Sequence, residues 1–302
     1  MFKSKNSMSR ALVRRETTAG YLFLLPSLFF FVTFVLYPMF LCIYTSFFDS
    51  NMGKNAVDVF IGLGNYKELF QDKLFLGALK NTVVIVVVAV PTVCAFSLWV
   101  ATAIYDMKPA LTSAFRCIFY LPVVTGSVAV TVVWKWMYNN RYGVFNYLFK
   151  SLGIIDQNIN WLGDARFALW CIILILFTTS VGQPIVLYVS ALGNVDHSLV
   201  EAAQVDGANH RQVFWKIKWA QIMPTTLYIL IITTINSFQC FALIQLLTSG
   251  GPTHSTDTIM YYIYYTAFKL YRYGYGNAMG VVLMIIIAVL SAVQFKLGQQ
   301  PD

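Results

Sequence analysis

The chain has 302 residues, of which 58% are hydrophobic and only 11% charged. A soluble domain carries about a quarter of its residues as charges, so this composition excludes a soluble globular protein and puts the chain in a bilayer. The formal net charge of +8 does not point to nucleic acid, because the basic residues are scattered over loop ends and form no stripe with interleaved aromatics. Anionic lipid headgroups account for them better.

The N-terminal arm, 1–19, carries Lys3, Lys5, Arg10, Arg14 and Arg15 ahead of the first long apolar block. A basic stretch before an apolar run can be a secretory signal, but this run exceeds the roughly 7–15 residues of a signal core and no A-x-A-like site follows it. The block is therefore expected to stay as a membrane anchor. Crossing a hydrocarbon core about 30 Å thick takes roughly 20 helical residues, and blocks at 20–48, 81–105, 115–138, 167–192, 223–248 and 276–295 qualify. Lys and Arg are enriched on cytoplasmic flanks, so the arm puts the N-terminus inside, and six spans return the tail, 299–302, to the same side. Lys54, Lys67, Lys73, Arg141, Lys150, Lys269 and Arg272 fall in the outer loops, so the orientation rests on the arm. Trp134, Trp136 and Tyr138, at the end of the third block, read as interfacial anchors.

In the fourth block Thr178, Gly182 and Ile185 share a helical face. Gly182-Gln183-Pro184 is expected to break the helix locally and expose backbone carbonyls. A polar segment follows, in which 201–224 reads EAAQVDGANHRQVFWKIKWAQIMP. Ser198 and Glu201 have the S-x-x-E spacing of a capping box, so a helix should start near Ser198. Gly207 should end it, since glycine takes a left-handed C′ position without steric penalty. A second short helix is expected over 210–219, with Pro224 in the first turn of the next span.

In the fifth block Thr233, Asn236 and Gln239 recur every three residues, with Cys240 beside them, on one face. Polar side chains are costly in lipid and face either an aqueous path or a neighbouring helix. The first role offers amides to a hydroxylated cargo; the second is interhelical bonding of about 1 kcal/mol each. Ser249-Gly250-Gly251-Pro252 then ends the helix and turns the chain, and a tyrosine-rich stretch, 253–273, precedes the sixth block.

Cys42, Cys94, Cys117, Cys171 and Cys240 lie in or beside apolar blocks without C-x-x-C spacing, so neither disulfide nor metal site is expected. His210 and His254 have no partner at ligand spacing, and the pair His197 and Glu201 supplies two ligands on one helix turn, short of a site. There is no G-x-x-x-x-G-K-[ST] loop, hence no nucleotide engine of its own.

The pattern of EAA, glycine three residues further on, a basic helix and then proline resembles the cytoplasmic loop of permease subunits of binding-protein-dependent ABC importers. Further segments resemble the carbohydrate-uptake branch, with its maltose-like and glycerol-phosphate-like systems: Leu25-Pro26, Tyr37-Pro38, Gly62-Leu63-Gly64-Asn65-Tyr66, Asn81-Thr82, Phe119-Tyr120-Leu121-Pro122, and Leu247 to Pro252. The resemblance implies an all-α polytopic membrane protein with six transmembrane helices in the type I ABC importer transmembrane-domain fold. It implies one permease domain over 20–298, with a coupling loop at 193–222 in which Glu201, Ala202, Ala203, Asp206 and Gly207 engage an ATPase. The chain would not itself be an enzyme, ATP and Mg being held by that partner. The implied partners are a second homologous permease subunit, giving a heterodimer, two ATPase subunits, an extracellular or periplasmic solute-binding protein and a sugar. The implied location is the bacterial cytoplasmic membrane.

By position, the resemblance assigns the substrate pathway to Thr178, Gly182, Gln183, Ile185, Thr233, Asn236, Gln239 and Cys240. Thr178 and Ile185 depart from the asparagine and tyrosine of a maltose-type site, which sets that sugar apart. A glycerol-phosphate or polyol cargo is the alternative; a phosphate would favour Arg or Lys facing the cavity, and none is evident. An ion-coupled secondary transporter would show an intramembrane carboxylate or broken helices related by a repeat. A membrane enzyme would need a His, carboxylate or thiol constellation at depth, whereas the acidic residues lie almost entirely in loops.

Overall fold

The computed structural model describes residues 3–50 and 58–298. Lys54 and the 299–302 tail lie outside the described residues, as do the side chains of Lys3, Lys5, Arg10 and Arg15. α1 (Lys3–Phe31) runs through a π turn, Val32–Leu36, into α2 (Tyr37–Thr45). Pro38 has no amide to give the carbonyl four residues back, and the register slips just ahead of it. β1 (Phe48–Asp49) and β2 (Val59–Phe60) pair antiparallel, Phe48 opposite Phe60. The helices α3 (Gly64–Gln71), α4 (Lys73–Ile104), α5 (Pro109–Val124), α6 (Ser127–Met137) and α7 (Val144–Ser151) follow. Then come α8 (Ala168–Ser180), α9 (Gly182–Gly193), α10 (His197–Val205), α11 (His210–Val213), α12 (Trp219–Phe238), α13 (Ala242–Leu247), α14 (Ile259–Tyr264) and α15 (Tyr273–Gly298).

Among the described residues, five stretches are long and apolar enough to cross a membrane: Glu16–Thr45, Lys73–Ile104, Ala168–Gly193, His210–Leu247 and Tyr273–Gly298. The third expected block is present as α5 and α6, but they are bent by 95°. Thr125 and Gly126, both with extended ψ, make the corner, and Pro122 one turn earlier has already removed a ladder amide. The sequence reading of a single rod over 115–138 is corrected to a broken span.

α4 organises the bundle. Asp72 starts it by accepting the Leu74 amide at 2.8 Å. Phe75, Ala78, Thr82, Ile85, Ala89, Val93, Ser97, Val100 and Ile104 then recur every three or four residues and are all buried, which makes one stripe on a 3.6-residue helix. The small members of that stripe let α9 and α12 approach closely, the usual basis of helix association in lipid. Ser97 donates its hydroxyl to the Val181 carbonyl at 3.3 Å, at the junction of α8 and α9. By contrast, the most apolar window of Glu16–Thr45 buries nothing against the rest of the chain.

The loops sort to two ends. At one, the Lys218 ammonium donates to the Tyr105 hydroxyl, and Gln221 accepts the Asp196 amide at 3.1 Å. This joins the α10–α11 segment to the C-terminal end of α4. At the other, Asp72 accepts hydroxyls from Tyr262 and Tyr275, both at 2.8 Å. Asn81 donates to the carbonyls of Ser255 and Asp257 at 3.1 and 3.0 Å, and Thr82 accepts the Ile259 amide at 3.0 Å.

Candidate functional site

A cavity of about 150 Å³ lies where α5, the α8–α9 junction and α12 meet. Its polar lining is Thr179, Ser180, Gln183, Tyr228, Thr233 and Asn236, and no charged side chain is among the lining residues. The junction exists because the sequence there is Ser180-Val181-Gly182-Gln183-Pro184. Pro184 cannot donate to the Ser180 carbonyl, which leaves an acceptor free beside the cavity. Gly182 permits the α5–α9 crossing, since a Cβ there would overlap the Phe119 carbonyl. The expected break at Gly182-Gln183-Pro184 is therefore present, one residue earlier than the motif.

A second cavity of about 330 Å³ shares Val123 and Thr179 with the first and extends to Ser127, Gln239 and Cys240. The helical face expected to carry Thr233, Asn236, Gln239 and Cys240 together is interrupted. α12 ends at Phe238, and the Cys240 carbonyl is taken by the Thr258 hydroxyl at 2.7 Å. Thr233 and Asn236 thus line the first cavity and Gln239 and Cys240 the second.

Of the four fourth-block residues expected in the pathway, Thr178, Gly182, Gln183 and Ile185, only Gln183 lines either cavity. Ile185, expected beside it, is fully buried in the cluster around Val93, Tyr188 and Ile229. Gly182 is buried under α5, and Thr178 returns its hydroxyl to the Ile175 carbonyl at 2.8 Å. Thr179, Ser180 and Tyr228 take the places the sequence reading missed. Tyr228 was findable, since it stands eight residues before Asn236 and so on the same stripe. Thr179 was not, because which of two adjacent threonines borders a cavity depends on how α8 sits against its neighbours.

The segment at the other end of α9 differs locally from expectation. Asp196, not Ser198, caps α10: its carboxylate accepts the Ser198 amide at 2.9 Å and the Ser198 hydroxyl at 2.7 Å. The serine bonds hold the Asp196 carboxyl below its ordinary range. Glu201 makes no capping-box bond and points outward, as Ala202 and Asp206 do. The stop at Gly207 is as expected. Its φ is +85°, the Gly207 amide reaches the Gln204 carbonyl at 3.0 Å, and the Ala208 amide reaches Ala203 at 2.9 Å, a complete Schellman motif. The reciprocal capping box stands further on, between Asn209 and Gln212. No second isolated helix follows: α11 runs through a π turn, Phe214–Lys218, directly into α12. Pro224 is therefore inside a continuous helix, not in a first turn. Leu199, Val205 and Trp215 are exposed here, Val205 to 88%, an apolar display that a solvated loop would avoid.

A bundle of spans with a broken helix facing an uncharged polar cavity, and an exposed short helix at one end, defines a multi-pass membrane permease. Residues 63–299 match the family of binding-protein-dependent transport system inner membrane components, and the chain belongs to that family. It is the membrane component of such a system and not its enzyme. A probable ABC transporter permease protein, YesP, of Bacillus subtilis is 33% identical over 94% of this chain and 91% of its own length. The lactose transport system permease protein LacF of Rhizobium radiobacter is 32% identical over 96% and 97%. A chain of a bacterial alginate ABC transporter, crystallised with an alginate pentasaccharide-bound periplasmic protein, superposes with a TM-score of 0.80. That match covers 93% of each chain at 24% identity, and it establishes the fold.

Proposed function

We propose that this chain is one of two permease subunits through which an ABC importer moves a sugar or oligosaccharide into the cell. The observation that carries this reading is the chemistry of the cavity at the α8–α9 break. Gln183 and Asn236 offer amides, Thr179, Ser180 and Thr233 offer hydroxyls, and Tyr228 offers a ring, with no ion among them. Sugar hydroxyls are matched by such groups, and the lactose-transporting relative supports the same class. At about 150 Å³ the cavity is smaller than the roughly 300–1,000 Å³ of ordinary ligand sites. A second, homologous permease subunit supplies the missing wall, in a heterodimer.

Residues 20–298 act as one permease domain, with 193–222 as the coupling loop. Glu201, Ala202, Ala203, Asp206 and Gly207, with the exposed Val205, seat in a groove of an ATPase subunit that holds ATP and Mg. Two such ATPases drive rocking of the permease pair, and access to the cavity alternates in the rigid-body manner general to transporters. Both termini and the coupling loop face the cytoplasm, and the end bearing Asp72, Asn81 and α14 faces outward, toward the solute-binding protein. The experiment is ATP hydrolysis by the complete complex in liposomes, with the binding protein loaded from a panel of sugars. Stimulation by one sugar is the expected result; stimulation by none, with the complex assembled, overturns the carbohydrate reading.

A further inference from the structure

At the end of the bundle away from α10, a cavity of about 700 Å³ opens between the α6–α7 corner and the turn at Gly251 and Pro252. Lys135, in the last turn of α6, and Arg141, in the corner, both line it, with Tyr142, Asn140 and Asn160 around them. Both cations are exposed, and no carboxylate lines the cavity. The acid nearest in sequence to its wall, Asp164 beside Gly163, is already held by Arg166 at 2.6 Å. Among the described residues neither Lys135 nor Arg141 has an ion-pair partner.

The backbone that carries these cations is fixed. The Asn139 side chain accepts the amides of Arg141 and Tyr142 at 2.9 and 3.3 Å. Asn146 donates to the Asn140 and Ile159 carbonyls at 3.1 and 3.0 Å and accepts the Trp161 indole at 3.0 Å. A Cβ at Gly143 would overlap the Asn139 carbonyl, so the corner is tight. The opposite wall is Leu247, Thr248, Gly251 and Pro252, so the two cations border a cleft between two segments of the bundle. A rigid concave site with two uncompensated positive charges and an amide rim is built for a carboxylate, to which Arg donates as a fork and Lys as a point charge.

We propose that this cavity receives an acidic side chain, Asp or Glu, from the solute-binding protein that delivers the cargo. Lys135 and Arg141 are its counter-charges, and Asn140, Asn160 and Tyr142 form the polar rim. The proposal rests on the importer reading, which turns this end outward. Charges at such a rim chiefly set the rate and salt dependence of docking.

The test uses the complete complex in liposomes, with cargo saturating and the binding protein titrated against ATP hydrolysis. The double variant Lys135→Glu, Arg141→Glu is expected to raise the half-maximal binding-protein concentration about tenfold or more with the maximal rate retained. Lys135→Arg with Arg141→Lys is expected to stay within about twofold of wild type, since the charges remain. The wild-type half-maximal concentration should rise with ionic strength, and the double reversal should invert that dependence, since salt then screens a repulsion. An assembled double variant with unchanged concentration and salt dependence overturns the proposal. So does an effect that disappears in liposomes made without anionic lipid, because headgroups would then be the partner. A wild-type complex unresponsive to its binding protein would overturn the importer reading, and this proposal with it.

Discussion

Gly182 lies against the main chain of α5 at Phe119, so closely that a Cβ there would overlap the Phe119 carbonyl oxygen. This one contact sets how near α5 comes to α9, and with it the width of the cavity that Val123 and Gln183 share. The glycine earns its place through space, since its backbone is ordinary helix. Gly182→Ala is expected to push the helices apart and destabilise the protein by about 1–3 kcal/mol, and Gly182→Val by more. Thermal unfolding in detergent measures this; an alanine variant as stable as wild type would show that the crossing has slack.

Cavity lining and helix packing separate cleanly by position. Asn236→Leu and Gln183→Leu should each weaken cargo uptake by a factor of about five, the value of one hydrogen bond near 1 kcal/mol, while the complex still assembles. Thr178→Val should leave uptake unchanged, because Thr178 lines neither of the two cavities. Uptake of labelled cargo into liposomes decides it, and wild-type transport by both leucine variants would remove Asn236 and Gln183 from the pathway.

Coupling through the α10 segment makes a ranked prediction at Gly207. Its φ of +85° costs an ordinary L-residue roughly 1–2 kcal/mol, and asparagine least among them. Cargo-stimulated ATP hydrolysis should therefore fall in the order Gly207, Gly207→Asn, Gly207→Val, with the protein still in the membrane. Glu201→Lys should abolish the stimulation outright by reversing an exposed charge at the ATPase contact. Normal stimulation in Glu201→Lys would sink the assignment of this loop.

Asp72 gives the outer end an acid dependence. Burial alone would raise its carboxyl, but the hydroxyls of Tyr262 and Tyr275 and the amides of Leu74 and Phe75 outweigh that and hold it below 3.8. A depressed folded value means the stabilisation is present above the unfolded pKa near 3.8 and is lost as pH falls through the lower folded value. The thermal midpoint should drop on acidification in that window, and Asp72→Asn should flatten the drop while lowering the midpoint at neutral pH. A variant with the wild-type slope would assign the acid sensitivity elsewhere.

Proline shows why the bend in the third span was illegible. Pro26, Pro91 and Pro224 all sit inside helices that continue past them, because membrane helices re-satisfy the freed carbonyls locally. Pro122 is followed by a 95° corner. Nothing in a single apolar run separates these cases. The slip from Ser198 to Asp196 as the cap has a simpler cause: the helix starts two residues earlier, and the Asp196 carboxylate takes both the amide and the hydroxyl of Ser198, which leaves that serine inside the first turn.

The sequence by itself determined the membrane class, the apolar blocks, the stop at Gly207 and the break near Gly182-Gln183-Pro184. Each of these depends only on neighbours along the chain: hydrocarbon thickness against block length, a backbone angle that only glycine takes freely, an amide that proline lacks. Only the tertiary structure decided that Thr179 and not Thr178 lines the cavity, that Ile185 is core, and that Gln239 parts from Asn236. Those outcomes turn on small changes of helix direction at Val181 and Phe238, and a helical face is defined by what packs against it, which no local period contains.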